Sequence, residues 1–223
     1  MQNSTAATSA AMFFSTSNTA PAMYQDISYA PVLLLYSSRF GQSRTIAERL
    51  AGHLNSSGHI CTLQNIEKLV TLAQPLDNYA AIVIVASIRY GHFHRRVKAF
   101  VQQNLAALNQ KLSVFVPVCL IARRQEKRQI ETNSYTRKLL AKTGWKPSII
   151  SITAGALRYP IYNFFDRFMV RLIMVMMKGD TDTSREYEYT DWEQVHMLAQ
   201  QIHQQLGTQM PQKTEQANQP FSE

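Results

Sequence analysis

Between residues 31 and 206, short apolar runs alternate with stretches in which apolar residues recur at helical spacing, and that alternation leaves few folds open. Continuous apolar runs separated by helices belong in a parallel sheet covered on both faces. The first run, residues 32–36, is followed by Ile46, Leu50 and Leu54, one stripe of a helix. A second, 59–63, is weaker and reads as an edge strand. The third, 80–86, is rich in Ile and Val, and the single helix after it places Val97, Val101, Leu105 and Leu108 on one side. The fourth, 113–120, contains Pro117, which cannot donate to a ladder, so the strand is expected to end or bulge there. The fifth is 149–154. A closing helix opens on Thr190 and Glu193 as a capping box and carries Trp192, Val195, Ala199, Ile202 and Leu206 as its buried stripe. The expectation is an α/β chain: a doubly wound, five-stranded parallel sheet in the order 2-1-3-4-5. Two segments exceed that plan, a basic loop at 123–133 and a long insertion at 158–189 before the last helix, and insertions of that size usually carry function.

Of the 223 residues, 45% are hydrophobic and 17% charged, enough for one sizeable core and unlike a collagenous, disulfide-scaffold or largely disordered chain. The formal charge of +8 is unevenly placed. Residues 89–146 hold 13 basic side chains and two acidic ones, whereas 180–193 hold six acids and one Arg. A basic belt attracts anions of any kind, from nucleic acid to lipid head groups and small carboxylates or phosphates. Cys61 and Cys119 form no metal or disulfide pattern and fit a reducing, intracellular setting. Residues 1–30 contain no Lys or Arg, so they lack the positive start of a secretory signal and read as a disordered extension or a misassigned start. The Gln-rich tail, 207–223, reads as disordered too. The most apolar stretch, 160–178, is interrupted by Asp166, Arg167 and Arg171, too often for a span of roughly 20 residues. Peripheral membrane attachment stays open.

In a sheet of this kind ligands bind beyond the carboxyl ends of the strands, and three loops arrive there. Ser37, Ser38, Arg39, Phe40, Gly41, Gln42 and Ser43 form a hydroxyl-rich turn between a strand and a helix, suited to a phosphate at the helix N-terminus. No G-x-G-x-x-G and no Walker lysine accompanies it, which favours a mononucleotide over a dinucleotide or ATP. Ser87, Ile88, Arg89, Tyr90, Gly91 and His92 follow the third strand, where a flat ring would lie across the sheet edge. His92 and His94 lack the Cys or carboxylate neighbours of a metal site, so no metal is expected. Leu157, Arg158 and Tyr159 leave the fifth strand and repeat the Arg-Tyr pairing of Arg89 and Tyr90, a combination that suits a large, flat, acidic ligand. Beyond them Phe164, Phe165, Phe168, Met169, Leu172, Ile173, Met176 and Met177 make an apolar helical surface, read either as core packing or as a membrane or ligand contact. The cluster at 123–128 reads as a solvated basic loop, with phosphate or lipid contact as the lesser reading.

Taken in order, the strings SSRFGQS (37–43), ASIRYGH (86–92), TNSYTRK (132–138), AGALRYP (154–160), DRFM (166–169), GDTDT (179–183) and YTDWE (189–193) resemble the flavodoxin-like, quinone-dependent protoporphyrinogen IX dehydrogenase family of haem biosynthesis. The likeness runs from about residue 31 to 206. It implies a flavodoxin-like fold, FMN as cofactor, protoporphyrinogen IX as substrate, and menaquinone or ubiquinone as acceptor. It also implies a peripheral place on the cytoplasmic face of the inner membrane and no nucleic-acid partner, with a homo-oligomer left open. Repeated rounds of flavin reduction and reoxidation complete the oxidation, and the protein's task is to hold the flavin and orient the tetrapyrrole. By position, residues 37–43 hold the phosphate, while the loop 87–92, the segment Val116, Pro117, Val118, Cys119, Leu120, Ile121 and Ala122, and Leu157, Arg158 and Tyr159 border the ring. Arg89 and Arg158 are the candidates for the substrate's propionates. Tyr90 and His92 are candidate proton-transfer groups by proximity alone.

Overall fold

A computed structural model describes residues 30–208. The extension 1–30 and the tail 207–223 therefore lie outside the described residues, apart from Ala30, Gly207 and Thr208. Five parallel strands, β1 (Val32–Ser37), β2 (Cys61–Asn65), β3 (Ala81–Arg89), β5 (Leu112–Val118) and β6 (Ile149–Ile150), form the sheet, and in the order β2-β1-β3-β5-β6 they match the expected topology. A short strand, β4 (His92–Phe93), folds back antiparallel on β3.

Side chains alternate between the two faces of each strand, so each face has its own core. Val32 and Leu34 of β1 pack with Ile46, Leu50 and Leu54 of α1 (Gln42–Ser56) and with Val195, Ala199 and Ile202 of α6 (Trp192–Thr208). Leu33 and Leu35 face the other way, toward Val97, Phe100 and Val101 of α2 (Arg95–Gln103), Leu108 of α3 (Leu105–Gln110), Leu139 of α4 (Ser134–Thr143) and Trp145. The crossover from β2 to β3, residues 66–80, contains a single 3-10 turn at Leu76–Asn78 in place of an α-helix.

Four sequence expectations are corrected. The single helix through Val97 and Leu108 breaks into α2 and α3 at Asn104, whose backbone leaves helical geometry and whose side-chain amide donates to Phe100 O at 2.8 Å. β5 does not bulge at Pro117 and ends one residue past it, at Val118: Pro117 pairs in register with Ala86, and its carbonyl accepts from Thr153 N at 3.0 Å. The regular part of the fifth run is only Ile149–Ile150, although Ser151 N and Thr153 N still bond to the β5 backbone. The capping box at Thr190 does not form. Asp191 caps α6 instead, accepting from Gln194 N at 3.1 Å, because the Thr190 hydroxyl accepts from Gln42 Nε2 at 2.8 Å and donates to Ala154 O at 3.0 Å.

The insertion folds as a small unit on the carboxyl edge of the sheet. It leaves through β7 (Ala156–Arg158), runs through α5 (Phe164–Met176) and returns through β8 (Glu186–Glu188), which pairs antiparallel with β7. Leu157, Tyr159, Tyr162 and Met174 form its own buried cluster, joined by Phe40 and Leu120 from the main body. The basic loop is partly solvated, with Arg124, Gln125 and Glu126 exposed, yet it also touches this unit: Arg123 and Arg124 donate to Met177 O at 2.7 and 2.9 Å, closing the electronegative end of α5.

Candidate functional site

One pocket lies where β1, β3 and β5 end, roofed by α5, and it joins three of the predicted segments. The turn after β1 lines it with Ser38, Arg39, Phe40, Gln42 and Ser43. At its base, Gly41 sits at the N-cap of α1 with φ 92, a left-handed geometry that glycine adopts without strain. No side chain caps the helix there and no acid occupies its first turn. Ser43 is buried and its hydroxyl has no partner. Free opening amides, the positive end of a 15-residue helix and an unpartnered hydroxyl suit an oxyanion. These features, observed in the turn itself, fit a phosphate-bearing flavin.

Opposite this turn stand Ser87, Ile88, Arg89 and Tyr90, then Val118, Cys119 and Leu120 after β5. Tyr90 and Gly91 both have positive φ, 47 and 81, the two-residue pattern that reverses a tight hairpin between β3 and β4. That reversal turns the two predicted proton-transfer candidates apart: Tyr90 lines the pocket, while His92 is exposed and lies outside it. Ser87 ties the strand ends together by donating to Ser37 O at 3.1 Å.

Other predicted residues support the site from behind. Ser37 is buried and donates to Glu67 at 2.7 Å. Val116 and Ala122 are core residues, and neither Pro117 nor Ile121 reaches the pocket wall. Leu157 and Tyr159 are buried beneath α5, and the Tyr159 hydroxyl donates to Asp180 O at 2.8 Å. Burial pushes that phenol up to about 12. Arg158 donates through Nη2 to Gln42 Oε1 at 3.0 Å, and Gln42 Nε2 donates to Glu188 at 2.9 Å and Thr190 at 2.8 Å, so this arginine, which does not line the pocket wall, is tied to the start of α1.

The ligand reading of the apolar helix included Ile173, but sequence reasoning missed Tyr162, Asp166 and Val170. Tyr162, two residues before α5, and Asp166, Val170 and Ile173 on it line the pocket from above. Asp166 is 1% exposed and forms an ion pair with Arg89 and another with Arg39 at 3.4 Å, while its Oδ1 accepts from the Tyr90 hydroxyl at 2.6 Å. One carboxylate thus joins the turn after β1, the β3–β4 hairpin and the insertion. Partial burial and this hydrogen bond both raise the Tyr90 phenol above its usual range, so it remains a donor at neutral pH. The available signal was an acid inside an apolar helix, which a buried position tolerates only when paired. The sequence reading took it for an interruption of the apolar stretch.

The remaining face of α5 points away from the protein. Phe164 is 88% exposed and Met176 70%, with Phe165, Phe168, Leu172 and Val175 exposed between them. Core packing, one of the two readings of this stripe, is therefore excluded for most of it. No helix among the described residues is long and apolar enough to cross a membrane, and no described cluster of His, Cys, Asp or Glu could hold a metal ion.

Comparison with known proteins agrees with this geometry. The family described as a flavodoxin domain matches residues 33–184. The protoporphyrinogen IX dehydrogenase [quinone] of Escherichia coli (strain K12) is 46% identical over 171 residues, covering 76% of this chain and 93% of that protein. The protein of the same name from Leishmania major is 38% identical over 168 residues, covering 75% of this chain and 72% of that one. Among solved structures, the flavodoxin of Streptococcus pneumonia TIGR4 aligns with a TM-score of 0.47 at 12% identity, over 81% of this chain and all of that one. Flavodoxin 1 from Bacillus cereus aligns at 0.46 and 13%, over 81% and 99%. The fold assignment rests on the strand order and the domain match, and a flavin is the cofactor that this domain implies. By domain match and by identity over most of its length, the chain belongs to the flavodoxin-like, quinone-dependent protoporphyrinogen IX dehydrogenase family.

Proposed function

We propose that this protein oxidises protoporphyrinogen IX to protoporphyrin IX, holding FMN in the pocket and passing the electrons to a membrane quinone. The observation that carries the reading is an anion-ready helix start, with uncapped amides and an unpartnered Ser43, opening into an arginine-rimmed pocket beneath an inserted helix with an exposed apolar face. FMN, when bound, supplies the electron-accepting ring that protein side chains lack. The backbone amides of residues 38–43 and the Ser38 and Ser43 hydroxyls hold its phosphate, which leaves the Arg39 side chain for the substrate. Ser87, Ile88, Arg89, Tyr90, Val118, Cys119 and Leu120 border the ring, and Phe40, Tyr162 and Val170 keep water from it.

The propionates of the substrate meet the guanidiniums of Arg39 and Arg89, which share one carboxylate and so keep a net positive charge at the pocket mouth. Tyr90 serves as a hydrogen-bond donor rather than a base, since its phenol is raised and already donates to Asp166. The Phe, Leu and Met face of α5 rests on the cytoplasmic side of the inner membrane, where quinone and tetrapyrrole are both available. The decisive test is anaerobic addition of protoporphyrinogen IX with a quinone, followed by porphyrin fluorescence. A quinone-dependent rise is expected, and no rise would leave an electron carrier without a substrate of its own.

A further inference from the structure

The arginines at this pocket differ in what they meet. Arg39 and Arg89 share Asp166, whereas Arg158 forms no ion pair among the described residues. Its Nη2 donates to a neutral acceptor, Gln42 Oε1, and its Nε is buried without a partner. A half-buried guanidinium with an unmet donor is unfavourable until an anion completes it. Nearby acids do not do so: Glu186, its register partner across β7 and β8, forms no ion pair with it, and Glu188 is bonded to Gln42.

Its location indicates which anion is missing. Nη1 lies 3.9 Å from where a Cβ on Gly41 would stand, so the guanidinium rests against the N-cap of α1. There the opening amides have no side-chain cap and the Ser43 hydroxyl is buried and unpartnered. Amide, hydroxyl and guanidinium donors from two distant parts of the chain converge with nothing to receive them. A phosphate monoester carries about −1.5 to −2 charges at neutral pH and three acceptor oxygens, which matches this set better than a singly charged carboxylate.

We infer that Arg158, delivered by the insertion, is the counter-charge of the cofactor's phosphate and makes this protein select the flavin monophosphate over the uncharged flavin. The inference rests on the flavin reading above and narrows Arg158, a candidate for both the ring and the propionates, to the cofactor's phosphate. Gln42 positions it, held in turn by Glu188 and Thr190. The insertion that roofs the pocket thus also closes the phosphate site.

The test uses the full-length chain freed of flavin, titrated separately with FMN and riboflavin while flavin fluorescence is followed. Arg158→Ala is expected to weaken FMN by about 10- to 100-fold, the scale of a charge-assisted hydrogen bond, with riboflavin affinity unchanged. Arg158→Lys, which keeps the charge but not the fork, is expected to fall between wild type and Arg158→Ala for FMN and to match wild type for riboflavin. Equal weakening of both flavins by both variants, or FMN binding that neither variant alters, would overturn the assignment while leaving the flavin reading intact. A wild-type chain that takes up neither flavin would overturn both.

Discussion

Two helices begin at the same pocket and are held by opposite means. α1 buries an aliphatic stripe against the sheet and leaves its N-terminus uncapped; α5 is capped by Asn163, buries only Asp166 and Met174, and turns its phenylalanines outward. Hydrophobic burial anchors α1, so its polar end is free to receive a ligand. Polar contacts anchor α5, through Asp166 at one end and Arg123 and Arg124 at the other, so its apolar surface is free to meet something else. Each helix spends on its neighbour what the other keeps for a partner.

The largest effect that would sharpen this contrast is in α1. Leu50 is fully buried, and Leu50→Ala is expected to lower unfolding free energy by about 2–5 kcal/mol in urea denaturation. In α5 the equivalent anchor is polar: Asp166→Ala leaves Arg89 without its carboxylate, at a cost of about 1.5–3 kcal/mol, together with a visible loosening of flavin retention. If flavin retention is unchanged, Asp166 does not hold the roof.

A smaller effect separates the real cap of α6 from the expected one. Asp191→Ala is expected to cost about 1 kcal/mol at neutral pH. Hydrogen bonds from the Gln194 backbone and Arg128 hold the Asp191 carboxyl below its usual 3.8, so its contribution is fully present above about pH 3.8 and fades as the pH falls below that. Urea unfolding of wild type and variant at a series of acid pH values should therefore converge at low pH. The smallest stability change belongs to the outward face of α5. Changing Phe165 and Phe168 together to Asp should shift stability by no more than about 1 kcal/mol, taking the usual limit of about 0.5 at each surface site. The same variant should lose liposome flotation, and flotation equal to wild type would break the comparison.

The strand order and both helical stripes of α1 and α6 were legible because they depend on spacing along the chain: a side chain two residues on in a strand, or three to four on in a helix, shares a face whatever surrounds it. The turn after β1 was legible for the same reason, since a short hydroxyl-rich string between a strand and a helix marks where that helix starts. What spacing could not show was which distant group each polar side chain would meet. Arg89 and Asp166 stand 77 residues apart, Arg158 and Gln42 116. The first pairing tied Arg89 to the roof, and the second tied Arg158 to the start of α1. Thr190 left its helix cap because Gln42, 148 residues away, and the Ala154 carbonyl claimed its hydroxyl.

The apolar α5 stripe shows the same division. Its composition announced a greasy surface, yet composition is silent on direction. A helix with one acid among apolar residues turns that acid toward whatever cation the fold supplies, and two arginines at the strand ends oriented the phenylalanines outward. Sequence alone determined the sheet, its order and the turn that opens α1, because local periodicity and backbone hydrogen bonding set those. Only the tertiary structure decided which arginines pair with Asp166, which one meets Gln42 and which face of α5 is open, because a buried charge takes its partner from across the fold.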